Sequence, residues 1–127
     1  MKAKNKLGIW MDHSIAHLME FTTKPVDIIF IESKLTENEE KELLAKTESL
    51  QNSKEKMQLS DYYKKLSEAI KNYKRIILFG PTSAKVELFD VLSEDNRFLK
   101  MKVEIKDTDY MTESQQQDFV MEYFSRA

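Results

Sequence analysis

Cysteine is absent from this 127-residue chain, glycine and proline occur twice each, histidine twice and tryptophan once. Without cysteine there is no disulfide and no thiolate-bound zinc, and the expected location is the cytoplasm. No stretch approaches the ~20 apolar residues that a membrane helix needs. The apolar run behind Met1-Lys2-Ala3-Lys4-Asn5-Lys6 is too short for a signal-peptide core, so no membrane partner is expected. A surplus of positive charge is missing too. The net charge of −2 argues against a general nucleic-acid binder, although local basic patches remain open. What is present is one domain's worth of chain, 41% hydrophobic and 33% charged, enough for a single core.

The strongest local signal is Arg75-Ile76-Ile77-Leu78-Phe79-Gly80-Pro81-Thr82-Ser83-Ala84-Lys85-Val86-Glu87-Leu88-Phe89. Four consecutive apolar residues, Ile76 to Phe79, suit a strand covered on both faces. Gly80-Pro81 stops it, since proline has no N–H to donate and restricts its neighbour. Thr82 or Ser83 then caps a helix running to about Leu92, with Ala84, Leu88 and Leu92 in line.

Residues 6–12 read as a first strand, with Leu7, Ile9 and Met11 on one face and Trp10 on the other. Asp12-His13-Ser14 is a hairpin turn into a second strand, Ile15 to Phe21. Val26 to Glu32 reads as a third strand, rich enough in Val and Ile for a central position. From Lys34 to Gln58 the chain is polar, and Thr36 with Glu39 suggests a capping box for a short helix. Regular structure is expected again from Leu59, where Tyr62, Leu66, Ala69, Ile70 and Tyr73 share a helix face. Met101, Val103 and Ile105 alternate with Lys102, Glu104 and Lys106, an edge strand by its lysines. Thr112 and Gln115 form a capping box for a last helix that packs on Phe119, Val120, Tyr123 and Phe124. The order is βββ-αβαβα, an α/β, RNase H-like mixed sheet with helices packed on it.

The run from Ile77 through Lys85 and the Glu-Leu-Phe helix behind it resemble a segment of the middle domain of archaeal and eukaryotic class 1 peptide-chain release factors and of Pelota. The likeness is closer still to small bacterial single-domain homologues known as translational machinery proteins. Gly8-Ile9-Trp10-Met11-Asp12-His13, a first strand closing on Asp, extends it. The resemblance implies a ribosome or ribosomal RNA as partner. In release factors the stretch between the third strand and the long helix carries a Gly-Gly-Gln loop that directs ester hydrolysis. No glycine lies between Gly8 and Gly80 here, so that backbone geometry is missing and no catalytic residue is carried over. Pelota also lacks the triplet, so a ribosomal role stays open.

Four constellations bear on chemistry. RNase H-like nucleases hold Mg²⁺ with acids on neighbouring elements. Asp12 and Glu68 could fill two places, but Phe79-Gly80-Pro81 leaves the third empty, and Asp12 reads better as the cap of its own turn. His13 and His17 lie about a strand start, where alternation would put them on the same face but well apart; they are expected at a turn or surface, and have no obvious third ligand. The turn Thr82-Ser83, with Lys85 one turn in, is the kind of helix start that takes anions, although its hydroxyls could equally satisfy the free N–H groups. Lys64, Lys65, Lys71, Lys74 and Arg75 lie on or beside the helix before that strand and could meet RNA phosphates, with acidic residues interleaved.

The expectation is a non-catalytic, translation-associated protein with no cofactor and no metal. The alternative is a protein-interaction module or a homodimer that has lost the ribosome, with the strand Met101–Lys106 able to pair across a two-fold. A metal-dependent nuclease is the third reading.

Overall fold

The computed structural model describes residues 6–21, 28–32 and 53–126. Its elements are β1 (Lys6–Met11), β2 (Ile15–Glu20), β3 (Ile29–Glu32), α1 (Ser53–Ile70), β4 (Arg75–Gly80), α2 (Ala84–Ser93), a 3₁₀ turn (Asn96–Phe98), β5 (Lys102–Asp107) and α3 (Glu113–Arg126). The strands form one mixed sheet in the order β3-β2-β1-β4-β5. β1 to β3 are an antiparallel meander, and β4 and β5 continue parallel to β1. This is the α/β, RNase H-like layout expected from the element order.

Alternation divides the sheet between two cores. Leu7, Ile9, Met11, Ile76 and Leu78 pack with Tyr62, Leu66, Ile70, Leu88 and Leu92 of α1 and α2. Trp10, Ile77 and Phe79 turn to the opposite face, where α3 brings Val120 and Phe124. Phe119 stacks on Phe79 with ring centroids 4.3 Å apart. The capping box of α3 forms as read: the Thr112 N–H donates to Gln115 Oε1 at 2.9 Å, and the Gln115 N–H to Thr112 Oγ1 at 3.2 Å.

Four sequence expectations change. β3 lies at the sheet edge, not at its centre, with Ile29 59% and Phe30 49% exposed. The centre goes to β1, because it is the strand that pairs with both the meander and the parallel half. α1 starts at Ser53, six residues before Leu59, since Lys, Glu, Met and Gln are good helix formers however polar the stretch. Ala69 is exposed and its place in the core is taken by Tyr63. His13 sits in its turn, as read, but is buried there, and it does not share a face with His17. The capping box at Thr36 and the rest of 33–52 lie outside the described residues, as do Val26 and Asp27.

Both glycines stand where backbone meets something close. A Cβ on Gly8 would lie 2.2 Å from Val120 Cγ2, so β1 makes room for α3. Gly80 has φ +145°, and a Cβ there would lie 2.2 Å from the carbonyl oxygen of Met11. Gly8→Ala should therefore cost about 1–3 kcal/mol. Adding Val120→Ala should make the pair cost less than the sum of the two single changes. Gly80→Ala meets immovable backbone as well as an unfavourable φ, and should cost about 3 kcal/mol or more with no such rescue. Urea denaturation of the four variants tests the pattern, and strict additivity of the Gly8/Val120 pair would contradict it.

Candidate nucleic-acid interface

In a mostly parallel sheet, ligands commonly enter where neighbouring strands send their connections to opposite sides, at the strands' carboxyl ends. Here that place lies between β1, which turns back into β2, and β4, which leads into α2. It is filled from both sides. Asp12 Oδ1 accepts from the N–H groups of Ser14 at 2.8 Å and Ile15 at 3.0 Å, so Asp12 caps its own hairpin. The Tyr62 hydroxyl of α1 donates to the Asp12 carbonyl at 2.8 Å.

The tightened turn swings His13 across to α2. Its Nε2 lies 3.2 and 3.3 Å from the two carboxylate oxygens of Glu87. A carboxylate only accepts, so Nε2 is the donating nitrogen. Nδ1 is buried with no hydrogen-bond partner among the described residues. Glu87 also accepts from the hydroxyls of Tyr63 and of Ser83. Burial works to raise the Glu87 carboxyl. The hydrogen bonds from His13 and Tyr63, the charge of His13 and the bond from Ser83 outweigh it, and hold the group below the usual glutamate range. Tyr63 is pushed upward by its burial first, and by the Glu87 charge and hydrogen bond next.

The anion site read at the start of α2 is similarly engaged. Thr82 Oγ1 accepts from the Ala84 N–H at 3.2 Å, while the Ser83 carbonyl accepts from Val86 and Glu87, both at 3.0 Å. Lys85 is only 1% exposed. Its ammonium donates to the Thr82 carbonyl and pairs with Asp107 at 2.7 Å, tying α2 to the end of β5.

The basic residues read on α1 are dispersed. Lys64 and Lys65 line a groove beside β3 together with Glu32, Asp61 and Glu68, a surface of mixed sign. Lys71 is paired with Glu68 at 3.2 Å, and Glu68 also takes Arg97 at 2.7 Å. Glu68 lies nearly two turns beyond Tyr62, roughly 9 Å by helical rise, so it does not stand with Asp12. Among the described residues no three His, Asp or Glu side chains are grouped so as to hold a metal ion. His13 and His17 go to opposite sides of the sheet: His17 Nδ1 meets Gln116 Oε1 of α3 at 2.8 Å, in contrast to the shared face expected from alternation. His13 belongs to the turn, so strand alternation does not govern it.

A different basic group is assembled at the amino ends of the parallel strands. Lys6 of β1 is the register partner of Arg75 of β4, which is the partner of Lys102 of β5. Neighbouring strands are about 4.8 Å apart, so these three cations form one row about 10 Å long on the face that carries α3. Lys6 Nζ lies 5.4 Å from the centroid of the Phe21 ring and the Arg75 guanidinium 5.8 Å from that of Phe124, so each charged head is seated on an aromatic face. The row stands clear of the ion pairs that tie Lys71, Lys85 and Arg97 to carboxylates. Exposed Lys74 adjoins it, its carbonyl accepting from the Lys102 N–H at 2.8 Å. Arg75 and Lys74 were legible as candidates in the sequence, and Lys6 as one of the N-terminal lysines Lys2, Lys4 and Lys6. Lys102 was not, nor was the row itself, because only the parallel register brings residues so distant along the chain side by side.

The class of fold this defines is an RNase H-like α/β domain with a basic row at one end of its sheet and a hydrogen-bonded polar cluster at the other. Neither family models nor curated proteins give a match to the chain. Solved structures do. Pelota of Archaeoglobus fulgidus aligns with a TM-score of 0.59 and 12% identity, over 98% of this chain and 32% of that one. Pelota of Thermoplasma acidophilum aligns at 0.58 with 15% identity, over 93% and 32%. The archaeal translation termination factor aRF1 aligns at 0.53 with 16% identity, over 95% and 40%. The chain thus spans about a third of the length of the structures it resembles, and the likeness is one of fold.

Glu87 gives this region a measurable pH dependence. A carboxyl that titrates lower in the folded state than in the unfolded chain stabilises the fold fully above the ordinary glutamate range, near ~4.3. That contribution is lost as the pH falls through the folded value. Glu87→Gln should therefore cost about 1 kcal/mol at pH 7, since solvent screens the half-exposed carboxylate, and the gap to the parent should close under acid. A gap that stays constant in urea melts from neutral to acid pH would refute this account.

Proposed function

We propose that this chain is a non-catalytic, translation-associated domain corresponding to the middle domain of Pelota and the archaeal release factor, cytoplasmic, and docking on ribosomal RNA. The observation that carries the reading is the match of nearly the whole chain to those two kinds of protein, with 93–98% of it aligned in fold. The absence of any glycine from residue 9 to residue 79 supports a role other than the water-directing one of a Gly-Gly-Gln loop. The row Lys6–Arg75–Lys102, with Lys74 beside it, is the surface best suited to phosphates: three cations held in register and engaged in none of the ion pairs among the described residues. The mixed face of α1 is less suited, because Glu32, Asp61 and Glu68 oppose its lysines. The net charge of −2 makes such a contact local and orientation-specific, without the broad attraction of a basic protein.

Co-sedimentation of the full chain with ribosomes at low and moderate salt tests this. The protein should travel with a ribosomal subunit at low salt and be released as salt rises, since phosphate contacts free counterions. Lys6→Glu/Lys74→Glu should abolish co-migration, whereas Lys64→Glu/Lys65→Glu should reduce it by less than about threefold. A parent protein that stays at the top of the gradient at both salts refutes the ribosomal reading. Equal loss in the two variants refutes the assignment of the row.

A further inference from the structure

The outer edge of β5 carries an inference of its own, independent of RNA. The Lys102 N–H donates to the Lys74 carbonyl at 2.8 Å, and the Thr108 N–H to the Gly80 carbonyl at 3.1 Å. Even-numbered residues of β5 therefore spend their backbone groups on β4. Backbone direction alternates along a strand, so Val103, Ile105 and Asp107 present N–H and C=O outward. Met101 differs, because its N–H already donates to the Phe98 carbonyl at 3.1 Å. On the face toward α2, Ile105 is 37% exposed. On the other face the side chains read Lys102, Glu104, Lys106.

A Lys-Glu-Lys edge blunts pairing with an arbitrary strand, but it is complementary to itself. Antiparallel pairing of two β5 strands about a two-fold has three compact registers. Centred on Glu104, it sets glutamate against glutamate and Lys102 against Lys106, which is repulsive. Centred on Val103, it sets Lys102 against Glu104 but asks for the Met101 N–H, which is taken. Centred on Ile105, it sets Glu104 of each copy against Lys106 of the other. It employs the outward groups of Val103, Ile105 and Asp107, and buries Ile105 against its own counterpart. It also leaves Lys102 beside Arg75.

We infer that two copies of this chain associate through β5 in the register centred on Ile105, giving a continuous ten-stranded sheet.

The test is the mass of the purified full chain by light scattering across a concentration series, with folding of each variant checked by circular dichroism. The parent should dimerise. Glu104→Lys should weaken the dimer by about tenfold or more, and Glu104→Lys/Lys106→Glu should restore it. Because the chain has no cysteine, Ile105→Cys also supplies a clean covalent readout. Residues paired across a hydrogen-bonded antiparallel site have Cα atoms about 5.5 Å apart, within disulfide reach, so mild oxidation should link two copies there and not through Val103→Cys. A parent that remains monomeric at high concentration, with no Ile105→Cys crosslink, overturns the proposal. So does a dimer indifferent to Glu104→Lys. Restoration by Lys102→Glu/Glu104→Lys in place of the other swap overturns the register.

Discussion

The parallel pairing of β1 with β4 is the constraint on which the rest of this structure depends. It joins a local antiparallel meander to a crossover half, and the two cores lie on its two faces. The pairing runs without a break from Lys6–Arg75 to Trp10–Phe79. At its far end the chain leaves β4 through Gly80, whose φ of +145° and close approach to the Met11 carbonyl admit no side chain. Glycine is scarce in this sequence, and both copies are placed where the central pair meets another part of the fold. Gly8 lets α3 lie against one face, and Gly80 lets the exit from β4 lie against the exit from β1.

From that junction the polar cluster follows as a consequence. Once the two strand exits touch, the hairpin after β1 is held over α1 and α2. A histidine there must then find partners inside the protein. Glu87 supplies the acceptor, and the hydroxyls of Tyr63 and Ser83 donate to it as well. The arrangement satisfies a half-buried carboxylate three times over, which offsets the cost of taking it partly out of water. An end of the sheet where α/β proteins often bind ligands is thereby converted into internal structure. Lys85 does the same service on the β5 side through Thr82 and Asp107.

Much of the architecture was legible in the chain because its signals are local. Four apolar residues before Gly80-Pro81 gave β4, the alternation from Met101 gave an edge strand, and Thr112 with Gln115 gave the start of α3. The misplacements arose where local pattern and global role part. Val26 and the isoleucines after it suggested a central strand, but residues that favour a strand do so at an edge as well as at the centre, and the short β3 ended at an edge with Ile29 and Phe30 exposed. The polar approach to α1 looked irregular because it lacks an apolar stripe, although its residues favour helix. The basic row was invisible for a deeper reason. Its members lie 69 and 27 residues apart, and their alignment is a property of two parallel registers.

These features together give the molecule a polarity. The carboxyl end of the sheet is tied by hydrogen bonds and by a buried lysine, while the amino end carries cations whose charged heads lie over Phe21 and Phe124. A surface of that kind needs no pocket. Under the proposed function, affinity for a polyanion would come from charge and specificity from the fixed spacing that the strands impose. The slightly negative total charge would then disfavour indiscriminate attachment while leaving one oriented contact. The open edge of β5 adjoins this row through Lys102. Any association there that leaves Lys102 unopposed, as pairing about Ile105 does, preserves the cationic row in each copy. The two surfaces are thus compatible in one molecule, and the sheet that aligns the charges also sets the direction in which it can be extended.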